Sequence, residues 1–295
     1  NSALRDPYDR IIGCLGFKFD NSLFNGTAAD TLTKPRGRKS KYPKIKHNYE
    51  SVDYPGMYIV GGPSHSLDYR KSSGGFIHGF RYTARSLHRL LEYKNHGVVW
   101  PSVVMPISNM LTYLTKRINE VSSMYQMFGV LGDIMVFRNS GADIEYYEDF
   151  PINLLDEFPE HTGHQADTVI VMVMEYGVNF SGPGADIFRS DRATGEPSEA
   201  HQSNFLHPVF YHYKHLPTTE TMEGRNKYQI LPRPTTLHHM VEDFLTDWDT
   251  SISHILPLRR FLESVLDQDT RNYFAEDCLR IALTNKQLPI TCATQ

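Results

Sequence analysis

The stretch Tyr54-Pro55-Gly56-Met57-Tyr58-Ile59-Val60-Gly61-Gly62, continued at Gly74-Gly75-Phe76-Ile77-His78-Gly79, decides the reading of the first third of the chain. Pro55-Gly56 marks a turn, and Met57 to Val60 is an apolar run of strand length closed by Gly61-Gly62-Pro63. From about Gly75 to Tyr93, Phe76, Phe80, Thr83, Ala84, Leu87, Leu90 and Leu91 recur at i, i+3, i+4 spacing. That period predicts an amphipathic helix, stopped by Asn95-His96-Gly97. Arg81, Arg85, His88, Arg89 and Glu92 fall off the stripe. Upstream, Tyr8 to Leu15 reads as a buried strand closed by Gly16, which makes Cys14 a small core residue. Strand, glycine turn and helix in succession point to an α/β unit.

Working outward, residues 21–49 show little periodicity. Their basic run of Lys34, Arg36, Arg38, Lys39, Lys41, Lys44 and Lys46 is broken by Pro35, Gly37 and Pro43, and reads as a solvated loop. Trp100-Pro101 and Pro106 mark a linker and a domain boundary. A single long helix is expected over about 107–131, with Leu111, Leu114, Ile118, Val121, Tyr125 and Phe128 on its apolar face. Residues 133–138, 143–150, 168–176 and 204–214 read as strands; 237–248, 254–266 and 270–286 read as helices. Strands followed by a helical run suggest an α+β domain.

The 295 residues allow about two domains, and a 40% apolar fraction with 22% charged residues suits a packed core. A net charge of −4 makes bulk nucleic-acid binding the wrong default. No apolar run reaches bilayer length, so no membrane span is expected. There is neither an initiator Met nor a signal-peptide pattern at Asn1, and the chain reads as a fragment, or a processed chain, lacking an N-terminal part. Cys14, Cys278 and Cys292 contain no C-x-x-C, and an odd number excludes a complete disulfide framework. The sequons at Asn25 and Asn179 are of a kind that chance supplies.

Several groupings carry the letters of an active site without its geometry. Ser64, His65 and Asp68 are a hydrolase triad by composition, but triads converge from separate elements and five consecutive residues form a loop. Near a cofactor, His65, Arg70 and Lys71 can instead contact phosphate, ring or substrate. His207 and His212 fall on opposite faces of a strand, and with His215 they lack a Cys or carboxylate to complete a metal site. Adjacent His238 and His239 diverge, and Gly163 separates His161 from His164. No metal site is expected, and no catalytic acid, base or nucleophile stands out. No G-x-S-x-G elbow supports a hydrolase.

A helix N-terminus behind paired glycines suits negative charge on a ring system, through its free N–H groups and its dipole. Here the segments resemble a known family. The strand ending Cys14-Leu15-Gly16-Phe17 is similar to the "ATG" segment of flavin monooxygenases, and Pro55 to Gly61 to their last FAD-contacting strand. More specifically, residues 48–51, 64–72 and 74–82 resemble the FAD-dependent oxidoreductase domain-containing protein 2 family, as do 123–128, 174–177, 179–183, 202–208, 241–248 and 254–263. The resemblance covers nearly the whole chain.

It implies the C-terminal part of a two-dinucleotide-fold FAD/NAD(P)-binding domain over 1–97, followed by a family-specific α+β domain over 98–295. It implies FAD, reduced by NAD(P)H, contacted by Cys14, Leu15, Gly16, Phe17, Gly61, Gly62, Gly75, Phe76, Ile77 and His78. It also implies the endoplasmic-reticulum lumen, with quality-control proteins and misfolded glycoproteins as partners. Two departures matter. Gly61-Gly62-Pro63 lacks the ribityl-binding Asp of related reductases, and the G-x-G-x-x-G fingerprints are absent, so this stretch alone is expected to hold FAD poorly and to be inactive. The missing acid and the lack of redox cysteines raise an alternative: a luminal interaction module that uses the flavoprotein fold as scaffold.

Overall fold

The computed structural model describes residues 9–14, 18–20, 32–69, 71–165, 168–177, 197–203, 205–226, 229–241 and 247–271. Six α-helices and six β-strands, with short 3-10 and π turns between them, order these residues. They are α1 (Ile77–His96), β1 (Ser102–Pro106), α2 (Met110–Glu120), α3 (Ser123–Gln126), β2 (Leu131–Arg138) and β3 (Asp143–Pro151). Then come α4 (Phe158–Thr162), β4 (Val169–Glu175), β5 (His207–Tyr213), α5 (Thr219–Gly224), β6 (Thr236–His239) and α6 (Leu256–Leu266).

The strands make one six-stranded sheet in the order β1-β3-β2-β4-β5-β6, antiparallel at every pairing. The fold is therefore mixed α/β with an antiparallel sheet. β4 reads Val-Ile-Val-Met-Val-Met because both sheet faces are covered, so neither face selects polar residues. On one face Ile134, Val136, Val169, Val171, Val173 and Val209 pack with Leu87 and Leu90 of α1, with Ile45, Tyr49 and Ile59, and with Phe158 of α4. On the other, Met135, Ile170, Met172 and Phe210 pack with Leu114 and Ile118 of α2 and with Leu258, Phe261 and Leu262 of α6.

Helix α1 follows its sequence period closely. Gly79, Thr83, Ser86, Leu87 and Leu90 form the buried face, so Ser86 takes the place expected of Ala84, which is exposed. Gly97 ends it at φ 67°, with Gly97 N–H donating to Tyr93 O (2.9 Å) and Val98 N–H to Glu92 O (3.3 Å).

Other expectations are corrected. Residues 9–14 form no strand: Ile11 and Ile12 are 90% and 87% exposed and Cys14 is exposed, because no described strand pairs with them. Met57 to Val60 contributes only an isolated bridge, Tyr58 to Glu50. The long helix over 107–131 breaks in two, since Val121 is extended (ψ 136°) and Ser123 starts α3. The supposed linker contains β1, and the helix expected from Leu237 begins as β6, paired to β5 from Thr236↔His212 to His239↔Val209. The expected helix from 270 lies almost wholly outside the described residues, as do Cys278, Cys292 and both sequons.

Candidate functional site

The glycine turn and the start of α1 form one unit. Gly61 takes φ 81° and caps a 3-10 turn, Gly62–Ser66, with Pro63 at its start. The next loop is organised by Asp68, which is buried at 3% exposure. Its carboxylate accepts from His65 Nδ1 (2.9 Å), from Gly74 N–H (3.0 Å) and from the Ser72 hydroxyl. This explains Gly74, because a Cβ there would lie 2.5 Å from Asp68 Oδ1. A Cβ on Gly75 would lie 3.0 Å from the His65 ring, and one on Gly79 would overlap Ser73 O. Packing within the loop accounts for these three glycines; at Gly62 a Cβ would meet nothing within 4 Å.

The loop delivers α1 with an open N-terminus. Phe76 is the N-cap residue, and no side chain caps the helix. The first N–H groups of a helix have no intrahelical partner. Phe76 and Ile77 are 60% and 71% exposed, and the Phe76 ring stacks on His78 at 5.6 Å and 6°. Of the residues assigned to FAD, Gly61, Gly62, Gly75, Phe76, Ile77 and His78 thus lie on one turn-and-helix unit. Cys14 lies in irregular backbone with no described contact to it; Leu15, Gly16 and Phe17 are outside the described residues. An exposed helix start that no side chain caps, beside the stacked Phe76 and His78 rings, suits one edge of a planar group that carries negative charge. The Gly-rich cradle for a pyrophosphate is not in this sequence.

The triad reading fails on geometry. His65 and Asp68 do pair, but Ser64 Oγ donates to Gly61 O (2.8 Å) and stands 3.5 Å from Thr83 Oγ1. His65 also packs against Tyr42 and Tyr69, and Lys41 Nζ lies over both tyrosine rings. The histidines of the sheet end are structural. His207 Nδ1–H donates to Phe205 O (2.8 Å), so its Nε2 accepts from His239 Nδ1–H (2.9 Å). His238 turns to the other face, stacked on Phe261. Among the described residues no three His, Cys, Asp or Glu side chains are placed to hold a metal ion.

Sequence reasoning missed a buried charge network. Asp133 interrupts an apolar strand at 0% exposure. Arg117 of α2 grips it with Nε at 2.6 Å and Nη2 at 3.1 Å, while Tyr146 hydroxyl (2.7 Å) and Asp149 N–H (2.8 Å) complete its donors. Asp149, at φ 53° beside the β2–β3 bulge, accepts from Arg117 (3.0 Å), from Arg85 of α1 and from Ser123 of α3. Burial pushes the Asp133 carboxyl up, opposed by the Arg117 fork; the same pairing raises Arg117 against its own burial. The signal was present: a lone Asp within an apolar run, and an Arg between Leu114 and Ile118 on a buried helix face. The network joins both helical layers to the sheet and has the character of a structural clamp.

Across 99% of its length the chain is 50% identical to FAD-dependent oxidoreductase domain-containing protein 2 of mouse, and 46% identical to that of zebrafish. These relatives are the proteins that the sequence resemblance points to. The chain spans 44% and 42% of those relatives' lengths. A more distant match, 26% identical over 184 residues, is the altered inheritance of mitochondria protein 6 homolog of Arthroderma benhamiae; at that identity it carries no functional argument. No family model and no solved structure matches.

Proposed function

We propose that the chain is part of a flavin-dependent oxidoreductase and contributes one edge of its FAD site. The observation that carries this reading is the exposed N-terminus of α1, uncapped by any side chain, on a 20-residue helix. The relatives' name supports FAD as the cofactor. When bound, FAD supplies the hydride- and electron-accepting chemistry. The chain's own residues hold and polarise it. Backbone N–H groups at Ile77 and His78 would favour negative charge at the ring, Phe76 and His78 offer a flat surface, and Asp68 fixes the loop that aims them. Gly61 and Gly62 admit close backbone approach. The resemblance adds Cys14, Leu15, Gly16 and Phe17 to the same site.

The same proposal includes NAD(P)H as electron donor, a flavin-domain segment over 1–97 and a family-specific domain over 98–295. It places the full-length protein in the endoplasmic-reticulum lumen, with quality-control proteins and misfolded glycoproteins as partners. The chain lacks the dinucleotide fingerprints, so the reading assigns activity to the full-length protein.

A second reading, the interaction module, draws on the outer edge of β1, which among the described residues pairs only with β3. Val103 and Val104 are 48% and 57% exposed there, with Val98 and Val99 at 51% and 49% just before it. An apolar sheet edge is a ready template for another strand.

The substitution Ile77→Asp in the full-length protein tests the first reading. An acid in the first turn strengthens the helix by about 0.3–1 kcal/mol, so folding is retained. It also opposes charge on reduced flavin, so FAD content falls or the flavin becomes harder to reduce. Unchanged flavin content and unchanged reduction potential would remove α1 from the site.

A further inference from the structure

The β1–β3 register runs from Ser102↔Tyr147 to Pro106↔Asp143, and one step further Ile107 N–H donates to Ala142 O (2.9 Å). Residues opposite each other in an antiparallel pair alternate between bonded and non-bonded. Val103 and Met105 therefore exchange bonds with β3, while Ser102 and Val104 turn their N–H and C=O groups outward. Position 101 agrees with that phase. Pro101 has no N–H to give, and Glu148 O, opposite it in the register, accepts instead from Trp100 Nε1 (3.1 Å) and Arg89 Nη1 (3.0 Å). The outer edge is closed at both ends: Trp100 N–H is taken by His161 O (2.8 Å), and Pro106 has no N–H. What remains is two donors and two acceptors, placed symmetrically about Val103.

We propose that β1 pairs antiparallel with β1 of a second copy of this chain, about a two-fold axis at Val103. This deepens the interaction-module reading, which uses the same edge, by naming the strand that covers it. In that register Ser102 faces Val104 of the copy, and the two such pairs exchange all the outward main-chain groups. Val103 meets its own copy in the non-bonded pair on the axis. Two places further along, Pro106 faces Trp100 of the copy. Pro106 has no N–H and that of Trp100 is already held by His161 O, so the ends of the pairing strand no donor. Charge agrees with a self-pairing edge: residues 97–115 contain no Lys, Arg, Asp or Glu, so β1 sets no like charges against each other across the axis. Edges that proteins keep unpaired commonly carry lysine instead. Val103 and Val104, about half exposed in one copy, gain cover in the pair. A patch that meets itself across a two-fold axis closes as a dimer and does not propagate.

The test is sedimentation equilibrium of the full-length protein at about 1–200 µM, which brackets a micromolar association. The proposal expects a mass that rises toward twice that of the monomer. Val103→Lys sets like charges opposite each other on the axis and should weaken the dimer about tenfold or more. Val103 is 48% exposed on an edge strand, where lysine is common, so that variant folds. Cysteine substitution reads the register. Opposed Cα atoms in a non-bonded antiparallel pair lie about 4.5 Å apart, within disulfide reach, so Val103 can be bridged to its copy. Val104 and its copy are diagonal neighbours at about 7–8 Å, beyond that reach. Under one oxidant, Val103→Cys should give disulfide-linked dimer above the level of the unsubstituted protein, and Val104→Cys should not. A monomer mass throughout the range, a dimer that Val103→Lys leaves intact, or equal crosslinking at the two positions would each overturn the proposal. Its failure would leave the interaction module open to a different partner, and flavin absorbance on the same samples tests the flavin reading separately.

Discussion

Replacing Arg117 with Met should destabilise the fold more than any surface substitution. Arg117 provides three hydrogen bonds to two buried carboxylates: two to Asp133 and one to Asp149, which are 0% and 2% exposed. Without it Asp133 keeps only Tyr146 and the Asp149 N–H, and neither carries charge. Asp149 retains Arg85, whose side chain is 45% exposed and so poorly placed to compensate. Removing one partner of a buried ion pair leaves an uncompensated charge and costs about 3–5 kcal/mol. At about 3 kcal/mol per M of urea, that is a midpoint shift of roughly 1–1.7 M. The control is Lys116→Met, whose pair with Glu120 spans 3.9 Å with both side chains two-thirds exposed and should change stability by less than about 0.5 kcal/mol. The double variant Arg117→Met/Asp133→Asn should recover part of the loss. Urea unfolding followed by circular dichroism is the assay. An Arg117→Met midpoint within error of the Lys116→Met control would refute the claim that these charges clamp the layers.

Gly79→Ala should lower the thermal midpoint by an amount equivalent to roughly 1–3 kcal/mol, because its Cβ overlaps the Ser73 carbonyl, while Gly62→Ala should be nearly silent in the chain alone. Burial pushes the Glu175 carboxyl up to about 7, against the hydroxyl donated by Tyr211. A carboxyl raised on folding binds more protons folded than unfolded, so its contribution to stability falls as pH rises from the ordinary carboxylate range through about 7. Glu175→Gln should flatten that slope, and urea midpoints at about pH 5 and about pH 8 for both proteins measure it. Burial holds His238 down at about 4; burial and then its neighbours His207, His201 and His238 hold His239 at about 3. Their ring signals should stay neutral in an NMR titration down to about pH 5; titration near the ordinary histidine value would contradict the packing described.

Much of this was legible in residue order, for identifiable reasons. α1 carries both a period and a stop signal in Gly97, and β2 and β4 are apolar runs of strand length, so local pattern and tertiary structure agree. β1 was hidden by Pro101 and Pro106, which read as a linker although a proline at a strand end is compatible with an edge strand. β6 was hidden because Leu237, Met240 and Val241 also suit a helix; pairing with β5 overrides that preference. The helix break at Val121 is followed by Ser123, whose hydroxyl donates to Asp149, 26 residues away, and no local window contains that contact. In the candidate site the glycines and the helix start were visible. The organising role of Asp68 was concealed inside what looked like triad letters, because its partners Ser72 and Gly74 are recognisable only once the loop is closed.

The central claim is that this chain forms one edge of a working flavin site. Its most direct test is the visible absorption spectrum of the purified full-length protein, recorded before and after anaerobic addition of NADPH and then NADH. The account predicts an oxidised flavin spectrum that bleaches with one of the two nucleotides. A folded full-length protein with no flavin absorbance would contradict it and leave the interaction module as the better reading.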